Sequence, residues 1–178
     1  MTSPSLNRTL TELKLPRKIE IDPKCDQIAQ LLLESRALLW ESGPYRIAEL
    51  EWTTAIERVL SNALLSRKIE LGIETIERVL EQQKRGLDAM LAKQGTASAN
   101  RVSRLIITSN DGSERLYRSC ESLLTKHGDR VLMIRFKVPA ARMGEKIFGI
   151  DRAIKAVLVS DREHVENLLF ALVSSPQS

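Results

Sequence analysis

Two hydrophobic rhythms alternate along the second half of the chain, and this alternation narrows the possible folds more than any other feature. Residues 104–109, RLIITS, form a short apolar run of the kind a strand buried on both faces requires. Residues 113–128, SERLYRSCESLLTKHG, switch to helical spacing and stop at Gly128. Residues 131–138, VLMIRFKV, return to the strand pattern. After Pro139, AARMGEKIFG reads as a short helix, AIKAVLVS as a third strand, and DREHVENLLFALV as a closing helix behind an acidic cap. Helices that alternate with strands cover both faces of a sheet, so the expected class is α/β.

The first half reads as mostly helical. Residues 1–25 mix Ser, Thr and charge with Pro4, Pro16 and Pro23, each of which interrupts a helix, and an extended or tethering arm is expected. From Asp26, the residues Ile28, Leu31, Leu32, Ala37 and Leu39 share one helical face until Gly43-Pro44. In ELEWTTAIERVLSNALLSR, Ile56, Val59, Leu60, Ala63 and Leu64 keep the spacing of a second amphipathic helix. Residues 67–71 fit a short strand or bend, and after Gly72 the segment ETIERVLEQQKR is helical again. Residues 86–103 lose apolar density and end in a Gly, Ser, Thr, Ala and Asn cluster, so a loop is expected there. The organisation is then an arm over 1–25 and one domain over 26–178 with a loop insertion at 86–103.

Several chemistries are excluded. Cys25 and Cys120 have no metal-ligand spacing, and His127 and His164 add no cluster, so neither a metal nor any other cofactor is expected. No catalytic residue is assigned: neither histidine sits in a nucleophile motif, and there is no Walker sequence or Gly-x-Gly-x-x-Gly. His127, before Gly128, fits the end of a helix, where its charge complements the dipole, and His164 fits the surface. The turn Ser109-Asn110-Asp111-Gly112 reads as an ordinary turn in preference to an anion site. No apolar run is long enough to span a bilayer, so a soluble, intracellular protein with no membrane partner is expected, and no small-molecule substrate is expected either.

Charge is more informative. Residues 126–155 hold eight Lys and Arg (among them Lys126, Arg130, Arg135 and Arg152) against Asp129, Glu145 and Asp151, a net of +5 that exceeds the +4 of the whole chain. A second basic group, Arg67, Lys68, Arg78, Lys84 and Arg85, flanks Gly72. Such groups suit a phosphate backbone, and they equally suit two solvated faces. The seven aromatics argue against a base-stacking platform, because only Phe136 lies in a strand, where it reads as core.

The segment Leu71-Gly72-Ile73-Glu74-Thr75-Ile76-Glu77-Arg78-Val79-Leu80-Glu81 resembles the opening signature of the kink-turn-binding ribosomal protein family, which Gly72, Ile76, Arg78, Leu80 and Glu81 fit. Glu74 and Thr75 stand where that family has Asn and Glu. The resemblance runs over residues 56–172 and includes Met143-Gly144-Glu145-Lys146-Ile147-Phe148-Gly149-Ile150-Asp151-Arg152, similar to the family's Gly-containing helix and its apolar RNA-closing loop. The extensions, with Trp40, Gly43-Pro44, Tyr45 and Trp52 ahead of the core, look like the divergent eukaryotic ribonuclease P and ribonuclease MRP branch.

That resemblance implies a three-layer α/β/α sandwich around a mixed sheet of about four strands. It implies a non-catalytic RNA-binding subunit that recognises bent or structured RNA in a ribonucleoprotein for tRNA and rRNA precursor processing, with other protein subunits as partners. A nuclear, nucleolar location is implied, with the cytoplasm as the alternative. The RNA-contacting residues would be Arg67, Lys68, Gly72, Thr75, Arg78, Lys84, Arg85, Ile150 and Arg152, with the Gly72 turn and the Ile150–Arg152 loop side by side. The alternative is a protein-interaction module of the same fold, which Glu74 and Thr75 favour. It would dock through helices 26–40 and 50–65, whose stripe of Ile28, Leu31, Leu32, Leu39 and Trp40 equally suits packing on the domain's own core.

Overall fold

A computed structural model describes residues 14–95, 101–149 and 151–174. In chain order the elements are α1 (Arg17–Glu20), α2 (Cys25–Glu34), β1 (Arg36–Leu38), β2 (Arg46–Leu50), α3 (Thr54–Leu65), β3 (Ile69–Leu71) and α4 (Ile73–Gln94). They continue with β4 (Arg104–Thr108), α5 (Glu114–His127), β5 (Val131–Phe136), α6 (Ala140–Met143) running into a π-helical turn (Gly144–Phe148), β6 (Ala156–Val159) and α7 (Arg162–Ser174). The strands form one mixed sheet in the order β1-β2-β5-β4-β6-β3. Strands β2, β5 and β4 are parallel, whereas β6 runs antiparallel to both β4 and β3, and β1 antiparallel to β2.

The fold is α/β, with helices on both faces of the sheet. Within the apolar strand runs, successive side chains go to opposite sides. Leu105, Ile107, Ile134, Phe136, Val157 and Val159 face one core, with Ile28 and Leu32 of α2, Ile56 and Leu60 of α3, and Val165, Leu168 and Leu169 of α7. Ile106, Met133 and Leu158 face the other, with Ile76 and Leu80 of α4 and Tyr117, Cys120 and Leu123 of α5. Each such side chain contributes about 1.5–3 kcal/mol on burial, which makes the double-sided sheet the dominant stabilising feature. Side-chain hydroxyls cap α3 and α5. The Thr53 hydroxyl accepts from the Ile56 amide at 3.3 Å, and that of Ser113 from the Leu116 amide at 3.2 Å. Gly72, at φ +83°, turns β3 into α4 in a backbone region that residues with a Cβ avoid.

Four expectations are corrected. The sheet has six strands: the four anticipated ones lie together as β3-β6-β4-β5, and β2 and β1 extend the β5 edge. Residues 36–38 and the last residues of β2, Glu49 and Leu50, were expected in helices, but α2 ends at Glu34 and α3 begins at Thr54. Pairing of Arg36 with Ala48 and of Ala48 with Ile134 outweighs the local helical spacing. Residues 86–94 continue α4 rather than forming a loop. Their Leu, Ala, Met, Lys and Gln are good helix formers, and apolar density falls because this half of α4 is mostly exposed. The helix ends at Gly95 in the left-handed conformation. Of the expected arm, residues 1–13 lie outside the described residues, while Leu15 and Ile19 are buried in the core beside α7.

The stripe considered for a partner is used internally. Ile28 and Leu32 are buried in one core with Leu31 against it, and Leu39 lies in the other with Trp40 against it. Among the described residues, no helix is long and apolar enough to cross a membrane.

Candidate functional site

Arg104 begins β4 and Arg130 immediately precedes β5, and the parallel register pairs Arg104 with Val131. Both strands therefore start at one edge of the sheet with a basic residue. The Arg130 carbonyl oxygen accepts from the amides of Ser103 at 2.9 Å and Arg104 at 3.1 Å, which fixes the two backbones side by side.

At this edge lies a cleft of about 910 Å³. One wall is the second half of α4, with Gln83, Lys84, Leu87, Met90 and Leu91, and the other is built by Lys126 and His127 at the end of α5. Arg17, Arg101 and Arg162 also line it. Seven Lys and Arg side chains thus line it against Asp88, Asp129 and Asp161. No Phe, Tyr or Trp is among the described residues that line it.

The electrostatics of the floor are unusual. Arg104 donates from Nε to Gln83 Oε1 at 2.9 Å and from Nη1 to the Ser103 carbonyl at 2.7 Å, both neutral oxygens. Burial, and after it the charge of Arg130, lowers the Arg104 pKa. Burial also lowers that of Arg130, and the Arg130 Nη2 is buried without a hydrogen-bond partner. His127 is only 4% exposed, and its Nε2 lacks a hydrogen-bond partner, lying 3.6 Å from Glu81 Oε1. Burial holds its pKa down against the opposing pull of Glu81. The dipole-complementing cation expected at the end of α5 is therefore replaced by an imidazole biased to the neutral form. His164 is not a free surface group either, since its Nδ1 lies 2.6 Å from Asp161 Oδ2. Arg101 is held by the Leu15 carbonyl and the Glu20 carboxylate.

The structure divides the residues singled out from sequence. Lys84 lines the cleft, and Lys68 lies beside it, its carbonyl bonded to the Ser160 amide and its charge acting on Asp161. Arg67 is exposed on the turn between α3 and β3, at φ +58°. Gly72 and Thr75 sit at the opposite end of β3, where the Gly72 amide bonds to the Ala156 carbonyl. Twelve residues of helix, about 18 Å, separate Gly72 from Lys84. Arg152 belongs to the Gly72 end, because it shortly precedes Ala156. Arg78 and Arg85, seven residues apart, share an exposed ridge of α4. Ile150 lies outside the described residues.

The basic segment is likewise not one face. Lys126 and Arg130 reach the cleft, whereas Arg135 is buried and bonded to Glu49 and to the carbonyls of Leu38 and Leu39. In the Ser109–Gly112 turn the Asn110 amide bonds to the Val138 carbonyl and the Gly112 amide to the Tyr117 hydroxyl, while Ser109 Oγ is buried without a hydrogen-bond partner. Sequence reasoning missed Arg17, Arg101, Arg104 and Arg162, and did not connect Arg130 with Arg104. The available signal was a lone Arg just before or at the start of two successive apolar strands. Among the described residues, no group of three or more His, Cys, Asp or Glu could hold a metal ion.

No protein-family model matches the chain, and neither does any curated protein. Among solved structures, it is similar to a protein with unknown function from Bacillus halodurans C, at 16% identity over 68% of this chain and 98% of that one, with a TM-score of 0.44. Likeness at this level carries no functional argument.

Proposed function

We propose that this protein is a non-catalytic RNA-binding subunit of a ribonucleoprotein that grips structured RNA by its phosphates through the basic cleft. The observation that carries this reading is the concentration of seven Lys and Arg around one cleft against three Asp. Cations grouped in this way release counterions when they neutralise phosphates, which gives affinity without base reading. The exposed Met90 and Leu91 offer an unstacked base an apolar surface, while the lack of aromatics makes shape and backbone the main determinants. Lys84 and Lys68 belong to this grip, and Arg78 and Arg152 lie outside it. The resemblance of the Gly72 and Phe148-Gly149 segments supports ribonuclease P and ribonuclease MRP RNAs as the first candidates.

The test is competition between a kink-turn RNA, a ribonuclease P-type RNA and a plain RNA duplex at several salt concentrations. The reading expects preference for a structured RNA with a steep loss of affinity as salt rises. Weak, equal binding to all three overturns it in favour of a protein partner.

A further inference from the structure

We propose that the floor of the cleft is a seat for one phosphate group, held between the Arg104 and Arg130 guanidiniums with His127 Nε2 beside them. The inference rests on the RNA-binding reading for the source of that phosphate, and adds which side chains receive it.

Arg104 and Arg130 leave adjacent backbone positions at one sheet edge, joined by the 3.1 Å bond between the Arg104 amide and the Arg130 carbonyl. Arg104 is positioned in advance, since Gln83 and the Ser103 carbonyl hold its Nε and Nη1. Arg130 presents a buried Nη2 with no partner, and His127 a buried Nε2 with none at hydrogen-bond distance. Buried polar atoms are nearly always satisfied, and buried charges are normally paired, so two unpartnered atoms beside the Arg104 charge, which is held by neutral oxygens, call for an anion. Glu81 Oε1 stands 3.6 Å from His127 Nε2, beyond hydrogen-bond distance. Asp161 is engaged by His164, and Asp88 acts on Arg130 through space. Burial lowers the pKa of both guanidiniums and favours the neutral imidazole of His127, so all three groups are shielded from water.

A tetrahedral phosphate suits these donors, because a guanidinium fork offers parallel N–H groups to two oxygens and an Nε2–H can reach a third. The charged groups that act on His127 are Glu81 and Lys84 from α4, Lys126 on its own helix, and Arg130. A phosphate there adds negative charge and raises the affinity of His127 for a proton. The phosphate could be an internal phosphodiester or a terminal monoester. The donors are the same for both.

The experiment uses the full chain and three probes: inorganic phosphate against chloride at matched ionic strength, and one structured RNA with either a 5′-phosphate or a 5′-hydroxyl. Thermal melting and the His127 ring resonances are followed in the wild type, Arg130→Gln and Arg130→Lys. Phosphate, but not chloride, should raise the wild-type melting temperature and move the His127 resonances towards the protonated form. Arg130→Gln should abolish both effects, and Arg130→Lys, which keeps the charge but loses the fork, should retain part of them. A 5′-phosphate preference of about tenfold assigns the seat to a terminal monoester, and equal binding that still falls in Arg130→Gln assigns it to the backbone. If Arg130→Gln does not fold, the wild-type resonances and Arg130→Lys decide. Identical responses to phosphate and chloride overturn the seat, and if RNA binding persists they leave the RNA reading standing. A phosphate response without RNA binding supports the seat and overturns the RNA reading.

Discussion

Glu49 and Arg135 are register partners across the parallel β2–β5 pair, and their side chains meet at 2.7 Å between Glu49 Oε2 and Arg135 Nε. Arg135 also donates to the Leu39 carbonyl at 2.8 Å and to the Leu38 carbonyl at 2.9 Å, and lies over the Tyr117 ring. This one side chain fastens the β1–β2 extension to the parallel strands. Arg135→Met strands a carboxylate and two carbonyls, at a cost of about 3–5 kcal/mol. Urea denaturation should show that loss, and a stability change under 1 kcal/mol would mean that the pair is not structural.

His127 should impose a pH dependence on stability. Its native pKa is held below the ordinary value of about 6.5 by burial. As pH falls through 6.5 the unfolded chain takes up the proton first, so native stability declines from there and levels below the depressed native value. His127→Gln removes this contribution. The difference between variant and wild-type urea midpoints should therefore be constant above about pH 7 and change as the pH drops below 6.5. A constant difference throughout would show that His127 titrates as it does in the unfolded chain.

Gly144 packs against the segment that carries Arg152. A Cβ there would overlap the Arg152 carbonyl oxygen and touch Ile154. Gly144→Ala should cost about 1–3 kcal/mol by overpacking, with local exchange of the 151–154 amides accelerated. RNA affinity should not change, because this loop lies away from the cleft. Loss of RNA binding without loss of stability would instead give the loop a direct contact.

The layered fold was legible because β4, β5 and β6 are buried on both faces, and their runs, such as Leu105-Ile106-Ile107, contain little else than apolar residues. Strand β1 was hidden because Leu39, just beyond it, falls at helical offsets of eight and seven from Leu31 and Leu32, and no Gly or Pro marks the turn at Ser35. The exposed second half of α4 lacks the stripe by which a helix is recognised. Within the site, Lys84 was legible as part of a local basic group. The cleft itself was not, because Arg17, Lys84, Arg104, Lys126 and Arg162 come from distant segments, and only the parallel register brings Arg104 and Arg130 to one edge. Conversely, Arg67, Gly72 and Arg78 are close in sequence yet are spread along β3 and α4.

The measurement that bears most directly on the cleft is the salt dependence of RNA affinity in charge-reversed proteins. Lys84→Glu/Lys126→Glu alters two lining residues, and Arg78→Glu/Arg152→Glu makes the same charge change outside the cleft. For a single-stranded or looped RNA, loss of two phosphate contacts should reduce the slope of log affinity against log salt by about 1.4. The account predicts that reduction, with weakened binding, for the cleft pair and a near wild-type slope for the other. Wild-type binding by the cleft pair together with a reduced slope for Arg78→Glu/Arg152→Glu would contradict it and move the RNA to the Gly72 end of the molecule.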